Sequence, residues 1–343
     1  MLTLKEDGKL FVRKNNFKVI LVGCGRIAGG SDGAGLETHA CSIRENPNVS
    51  LQACVSNNLQ KGKDFGEKYA CDVFIDLLDA VEKIKPDVVS ICTPDNTHFS
   101  LTKEVLSSDN APKVIFLEKP ACKTQEEYEE LKKLANHTNV LLVVNQTRRF
   151  SPKYNFIKKF ISERKFGRIN RVIATYYSGW FHNGIHLVDT LTHLFEDDII
   201  WDNVLGKVNS PYEGDPSLEL SGSMKKSKAR VNFSAIDESY YQLFDIDLWF
   251  ELGRLRIEDF GQRIIFEKQI INNIGEKVLK PLEVKIPQTQ STEMQIAYSQ
   301  ICDFLKSGEN QYLLPVTISE IETTMQTLWQ GQELFDKYYE CKN

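Results

Sequence analysis

Residues 17–28 read FKVILVGCGRIA, a six-residue apolar run followed at once by Gly23-Cys24-Gly25-Arg26-Ile27-Ala28. The run is nearly continuous in apolar residues, which predicts a parallel strand buried on both faces. The glycines after it match a GxGxxA turn, each for its own reason. Gly23 permits the sharp bend and Gly25 lets a pyrophosphate approach the backbone. Ala28 keeps the next helix close to the sheet, and Arg26 and Ile27 carry N–H groups at the start of that helix. Glycine-rich turns are common, but one placed directly after the first strand of an alternating pattern points to dinucleotide binding. The helix is interrupted by Gly29-Gly30-Ser31-Asp32-Gly33-Ala34-Gly35, and helical pattern resumes only near His39. This insert reads either as a flexible loop beside a cofactor or as a plain solvated loop.

Outward from this stretch the alternation continues. Further strand-like runs fall at 50–55, 87–93, 113–118 and 140–144, with charge-rich amphipathic segments between them. Thr124–Glu127 reads as a capping box opening a helix that carries Tyr128, Leu131, Leu134 and Ala135 on one face. Such strand–helix alternation implies an α/β, doubly wound parallel sheet of Rossmann type. Past Ser151-Pro152, a good helix start, the period drops to two. Segments 229–236, 240–250 and 253–259 alternate, with Phe244, Ile246, Leu248 and Phe250 facing one way and Asp245, Asp247 and Trp249 the other. This predicts an α+β domain with a large, mainly antiparallel open sheet. Two helices close the chain, at roughly 292–306 and 317–339, the second opened by a capping box at Thr317–Glu320. The predicted domains are 15–148 and 149–343, with the C-terminal helices free to pack back on the first.

The composition excludes other classes. Hydrophobic residues at 41% and charged residues at 26% over 343 residues are globular values. The balance of 42 basic against 47 acidic residues leaves −5, unsuited to nucleic acid. The apolar runs are strand-length, too short to span a membrane, and Met1 to Lys14 has no signal-peptide core. Eight cysteines without a CxxC pair read as reduced thiols, which places the protein in the cytoplasm.

Near Ser56-Asn57, where the second strand ends, such folds usually carry a carboxylate for the adenine ribose. None is present, so a 2′-phosphate is not repelled, yet no arginine stands adjacent to attract one. NAD and NADP both remain open as cofactor.

Four more strings carry a resemblance: Cys92-Thr93-Pro94-Asp95-Asn96-Thr97-His98, Glu118-Lys119-Pro120, Asn145-Gln146-Thr147-Arg148-Arg149-Phe150, and Asn183-Gly184-Ile185-His186-Leu187-Val188-Asp189. In this order the chain resembles the glucose–fructose oxidoreductase / inositol dehydrogenase / MocA (Gfo/Idh/MocA) family from about residue 17 onward. The resemblance implies an NAD(P)-dependent oxidoreductase acting on a secondary alcohol or ketone of a sugar, nucleotide sugar or cyclitol. It places Thr93, Pro94, Asn96 and His98 beside the cofactor together with Glu118. It brings Lys119 to the oxygen of the reacting carbon and makes the Lys119–Pro120 bond cis. An ammonium there stabilises a developing alkoxide. The resemblance also implies substrate contacts at Asn145, Arg149 and Asn183, and a homo-oligomer joined through the C-terminal sheet.

On the helix from Gly184 to Phe195, His186, Asp189 and His193 share one face and apolar residues the other. The family pairs an aspartate with a histidine four residues later. His186 matches that histidine, as a general acid/base, and His182 then stands where the aspartate is expected. The register Asp189/His193 is the alternative, and Asp189 otherwise orients a histidine. Two further readings follow from His182: a nucleotide-binding regulator without turnover, or a metal-dependent hydrolase using the His182/His186 spacing without the glutamate such sites need. Trp180, Phe181 and Tyr177 are candidates to stack on a sugar ring, or else core. No metal is expected in the leading reading.

Overall fold

The computed structural model describes residues 16–30, 37–307 and 314–341, together with the backbone of a small strand pair at Lys5–Glu6 and Lys9–Leu10. The readings of Met1–Lys14 and of Ser31–Gly35 therefore lie wholly or largely outside the described residues. The chain divides into two compact units. One is Met1–Thr147 with Ser291–Ile318, and the other is Arg148–Gln290 with Ser319–Asn343.

The first unit holds six parallel strands: β1 (Phe17–Val22), β2 (Val49–Val55), β3 (Asp72–Phe74), β4 (Val88–Ile91), β5 (Val114–Leu117) and β6 (Leu141–Val144). Their order is β3-β2-β1-β4-β5-β6, the doubly wound arrangement with its switch point between β1 and β4. β4, β5 and β6 are buried at every position, which is why they read as unbroken apolar runs. The three-residue β3 is too short to show a period and escapes the sequence reading. Helices α1 (His39–Glu45), α2 (Leu59–Tyr69), α3 (Leu77–Ile84), α4 (His98–Leu106) and α5 (Gln125–Thr138) connect the strands. Thr124 caps α5 in a complete capping box with Glu127, as the sequence predicts.

The second unit carries eight strands: β7 (Ile169–Tyr176), β8 (Ile199–Val208), β9 (Ser217–Met224), β10 (Arg230–Ala235), β11 (Asp245–Phe250), β12 (Gly253–Glu258), β13 (Arg263–Ile271) and β14 (Lys277–Leu282). They form one sheet in the order β8-β9-β10-β7-β11-β12-β13-β14, antiparallel except for the β10–β7 pair. Phe244, Ile246, Leu248 and Phe250 are all buried, the face the alternation assigned. The strand predicted over 240–250 begins only at Asp245, since Tyr240 and Tyr241 sit exposed in the preceding turn. Helices α6 (Pro152–Ser162) and α7 (Ile185–Phe195) belong to this unit.

Of the late helices, α8 (Glu293–Ser307) falls in the first unit and α9 (Glu322–Glu340) in the second. The capping box expected at Thr317–Glu320 does not form, because α9 starts later, after Ile321. Residues 316–318 instead pair with the edge strand β6: Val144 N–H donates to Val316 O, Ile318 N–H to Leu142 O, and Thr317 bridges Val143. Tyr128 donates its hydroxyl hydrogen to Ile318 O. An unpaired sheet edge is a liability, and this segment covers it.

Candidate functional site

The carboxyl ends of β1, β2, β4, β5 and β6 bring the sequence motifs of the first unit to one edge of the sheet. Gly23 has φ +95° and its N–H donates to Val55 O at 2.9 Å. A Cβ there would lie 2.9 Å from Cys92 O, so glycine alone fits between the first and fourth strand ends. Among the described residues, a Cβ on Gly25 would meet nothing within 4 Å, so this backbone lies open to them. An open glycine backbone fits a pyrophosphate. Ala28 is fully buried, matching its packing role.

The helix expected directly behind this turn is only one turn long before the insert. Its hydrogen-bond ladder then resumes on the far side, where His39 N–H donates to Ile27 O at 3.0 Å and Ala40 N–H to Ala28 O at 3.0 Å. The dipole directly behind the turn is therefore weaker than an unbroken helix would give. Lys68 Nζ donates to Gly29 O at 2.8 Å and Gly30 O at 3.2 Å, and the Tyr69 hydroxyl to Gly29 O at 2.7 Å, pinning the near end.

At the end of β2, Ser56 Oγ donates to Asn58 O at 3.0 Å and accepts from Asn58 N–H at 3.2 Å, while Asn57 is exposed. After β4, Thr93 and Pro94 form a turn closed by Thr97, whose Oγ1 donates to Pro94 O at 2.7 Å, and Asn96 is exposed in it. His98, expected among the cofactor contacts, is buried instead. Its Nδ1 faces Pro120 O at 2.6 Å and its Nε2 faces Thr93 O at 2.8 Å. Both ring nitrogens are occupied in tying the Thr-Pro turn to the turn after β5. The Lys119–Pro120 bond in that turn is cis, and Lys119 itself is half-buried.

Glu118 is likewise turned inward rather than toward a ligand. Its Oε1 accepts from Asn145 Nδ2 at 2.6 Å and from His39 Nε2 at 2.9 Å. His39 Nδ1 meets the Tyr298 hydroxyl at 2.8 Å, which meets Ser90 Oγ at 2.9 Å. One proton assignment satisfies all of it: Ser90 donates to Tyr298, Tyr298 to His39, and His39 to Glu118. Burial pushes the Glu118 carboxyl up, but the His39 bond, the Asn145 amide and the Lys119 charge outweigh it and hold the group below its ordinary value. Among the described residues, Asn145 keeps a buried Oδ1 with no partner, as do both polar atoms of the Gln146 amide. His39 and Gln146 were missed by the sequence reading.

In the second unit the face of α7 that the sequence assigned to chemistry is mostly internal. Asp189 is buried against Arg149, with Nη2 to Oδ1 at 2.8 Å and Nε to Oδ1 at 3.0 Å, and it accepts from Thr324 Oγ1 at 2.9 Å. Arg149 also donates from Nη1 to Glu320 O at 3.0 Å. Arg149 and Asp189 therefore form an internal tie between the start of the unit, α7 and α9, where a substrate contact and an orienting carboxylate had been expected. His193 is buried, with Nε2 3.3 Å from Asn155 Oδ1. Burial first, then the Arg149 and Lys158 charges, lower its pKa to about 4. His186 is half-buried at the first turn of α7.

His182 lies in the π-helical turn Trp180–Gly184, its ring stacked on Tyr212 at 3.7 Å between centroids, and Asn183 is half-buried beside it. Asp215 holds this turn by accepting from the Phe181 and His182 N–H groups at 2.9 Å each. Trp180 is fully buried and donates to Leu328 O at 2.9 Å, so it is core and not a sugar platform. Among the described residues no group of three or more His, Cys, Asp or Glu is placed to hold a metal ion. No helix among them is long and apolar enough to cross a membrane.

A family model described as "Oxidoreductase family, NAD-binding Rossmann fold" matches residues 17–146. Residues 17–146 thus match the NAD-binding domain of the Gfo/Idh/MocA oxidoreductase family. Inositol 2-dehydrogenase of Rhizobium meliloti (strain 1021) is 30% identical to this chain over 156 residues, 45% of this chain and 43% of that protein. The alignments thus span less than half the length of the first curated relatives it matches, 43% and 48%. Solved structures extend the fold likeness to both units. The WlbA dehydrogenase of Bordetella pertussis, in complex with NADH and UDP-GlcNAcA, superposes with TM-score 0.74 at 18% identity, over 93% of this chain and 96% of its own. The transcriptional regulator Gal80p of Kluyveromyces lactis superposes with TM-score 0.75 at 16% identity, over 95% and 90%.

Proposed function

We propose that the protein is an NAD(P)-dependent dehydrogenase or reductase acting on a secondary alcohol or ketone of a sugar, nucleotide sugar or cyclitol. The observation that carries this reading is the carboxyl edge of the first sheet, where Lys119 follows a buried carboxylate and precedes a cis-proline, on the same edge as the glycine turn. The residues there fit a dinucleotide. Gly25 leaves room for phosphates, and Asn145 offers a buried carbonyl oxygen unpartnered among the described residues. Such a cofactor supplies or accepts the hydride. Gly23, Gly25, Arg26 and Ile27 would bind its phosphates, with Thr93, Pro94 and Asn96 along its length. Lys119 would hold its ammonium proton toward the substrate oxygen, stabilising charge as the O–H proton is lost. His186 is the proposed proton-transfer group of the second unit, with Asn183 contacting substrate hydroxyls. The substrate class draws on inositol as the substrate named for one relative and on the nucleotide sugar held by one structural neighbour.

Turnover on a panel of sugars, nucleotide sugars and inositols tests the reading. Lys119→Ala should lower kcat by roughly a hundredfold or more, the scale of losing one charge-stabilising donor, and His186→Gln should lower it comparably. Full turnover in both variants would sink the chemistry. A regulator that binds nucleotide without turnover is the second reading, favoured by His182 stacked on Tyr212 in place of a catalytic carboxylate. Nucleotide binding with no activity on the whole panel would select it. We further propose a cytoplasmic homo-oligomer, in keeping with eight free thiols and with the exposed sheet face considered below.

A further inference from the structure

The glycine turn and helix α2 together line a cleft formed by Cys24, Gly25, Arg26, Gly30, Lys61, Asp64, Phe65 and Lys68. Its charges are unequal, with three cations (Arg26, Lys61, Lys68) against one carboxylate (Asp64). Two of the four are committed elsewhere. Lys68 holds the carbonyls of Gly29 and Gly30, and Asp64 accepts from Gln60 Nε2 at 2.8 Å. The guanidinium of Arg26 and the ammonium of Lys61 are both exposed and make no ion pair among the described residues. Across the mouth, the end of β2 presents Ser56-Asn57-Asn58, and Gly23 N–H on Val55 O fixes this end beside the turn.

A dinucleotide lying on Gly25 carries its adenine ribose toward the end of the second strand. Two outcomes are physically distinct there. A carboxylate accepts the two ribose hydroxyls and repels a phosphate, whereas a neutral rim with nearby cations leaves the hydroxyls without a strong acceptor and attracts the dianion. Here the rim is neutral, and Ser56 Oγ is already occupied by the Asn58 backbone. The sequence alone places no arginine beside Ser56. The fold supplies the missing positive charge from two other places, the turn itself and the first turn of α2.

Resting on the dinucleotide reading above, we propose that Arg26 and Lys61 form a 2′-phosphate subsite, so that the protein selects NADP(H) over NAD(H). Direct titration of the full chain with NADPH and with NADH, followed by nicotinamide fluorescence, requires no knowledge of the substrate. NADPH should bind roughly tenfold tighter or more, the size of one or two charge-assisted contacts. The advantage should shrink as salt is raised, because the phosphate contacts are exposed and screened. Lys61→Ala alters an exposed side chain on α2. It should remove most of the NADPH advantage while NADH affinity stays within about twofold, and Ser56→Asp should reverse the preference. Equal or tighter binding of NADH by the wild type, or variants that weaken both nucleotides alike, would overturn the subsite. Binding of NADH without preference leaves the dinucleotide reading standing and removes only this one. Failure of both nucleotides to bind removes both.

Discussion

His39 shows how much one side chain can hold in place. It is fully buried, and its two ring nitrogens join a hydroxyl from α8 to the carboxylate preceding Lys119. Replacing it with leucine leaves the Tyr298 hydroxyl and the Glu118 carboxylate buried with one partner fewer each. Breaking a buried, charge-bearing pair by removing one member costs about 3–5 kcal/mol, while a glutamine that can still donate to Glu118 should cost less. Urea unfolding of His39→Leu and His39→Gln measures the difference, and equal stabilities in the two would show that the hydrogen bonds carry nothing. The sequence could not announce this role. The insert displaces His39 from the glycine turn, and its partner Tyr298 lies 259 positions further on. Lys119, by contrast, is legible because its motif is contiguous and ends a strand whose apolar run is plain.

At the scale of one element, α7 marks where helical periodicity misleads. The wheel puts His186, Asp189 and His193 on a polar face, and a polar face suggests a site. Yet every residue from Leu187 to Leu194 is buried, because Arg149, Asn155 and Thr324 cover the polar positions with hydrogen bonds. Nothing local in the sequence distinguishes a polar face turned to a ligand from one turned to another helix. This packing has a pH signature. His193 is faced by Arg149, Lys158, Asp189 and Glu196, and in the folded protein its pKa is lowered from 6.5 to about 4. A base held neutral in the fold but free to protonate when unfolded contributes stability that is full above about pH 6.5. That contribution drains away as pH falls toward about 4. The shift is worth on the order of 3 kcal/mol. Denaturant melts between pH 7.5 and 4.5 should therefore fall more steeply for the wild type than for His193→Gln. Parallel pH profiles would show that His193 is not held neutral.

For the molecule as a whole, the open face of the eight-stranded sheet is what the proposed assembly has to explain. The register places Trp249, Arg254, Glu267 and Pro281 in one row across β11 to β14, and Ile271 and Leu279 fall on the same face by the two-residue period. Trp249, Ile271 and Leu279 are 40%, 68% and 42% exposed. Between them runs a ladder of paired charges, Arg254 to Asp247 at 2.6 Å and Arg256 to Glu258 at 2.7 Å, with Glu267 reached by both arginines. Within that ladder Arg256 Nε and one Glu267 oxygen are buried without a hydrogen bond. A two-fold related copy would bring the same surface to itself, covering the large apolar side chains while each strip of charge meets its own complement. Sedimentation equilibrium should then give a mass at least twice the 39.3 kDa of one chain at micromolar concentration. Trp249→Glu with Ile271→Lys should lower that mass to one chain, without changing the folded circular dichroism spectrum. The alternation in the sequence identified which face packs inward, and by subtraction which faces out. It could not show how much of the outer face is apolar, because that depends on strand register and on which charges neutralise one another. A wild type that sediments as a single chain would return this face to solvent, and the paired arginines and carboxylates would then be what keeps it soluble.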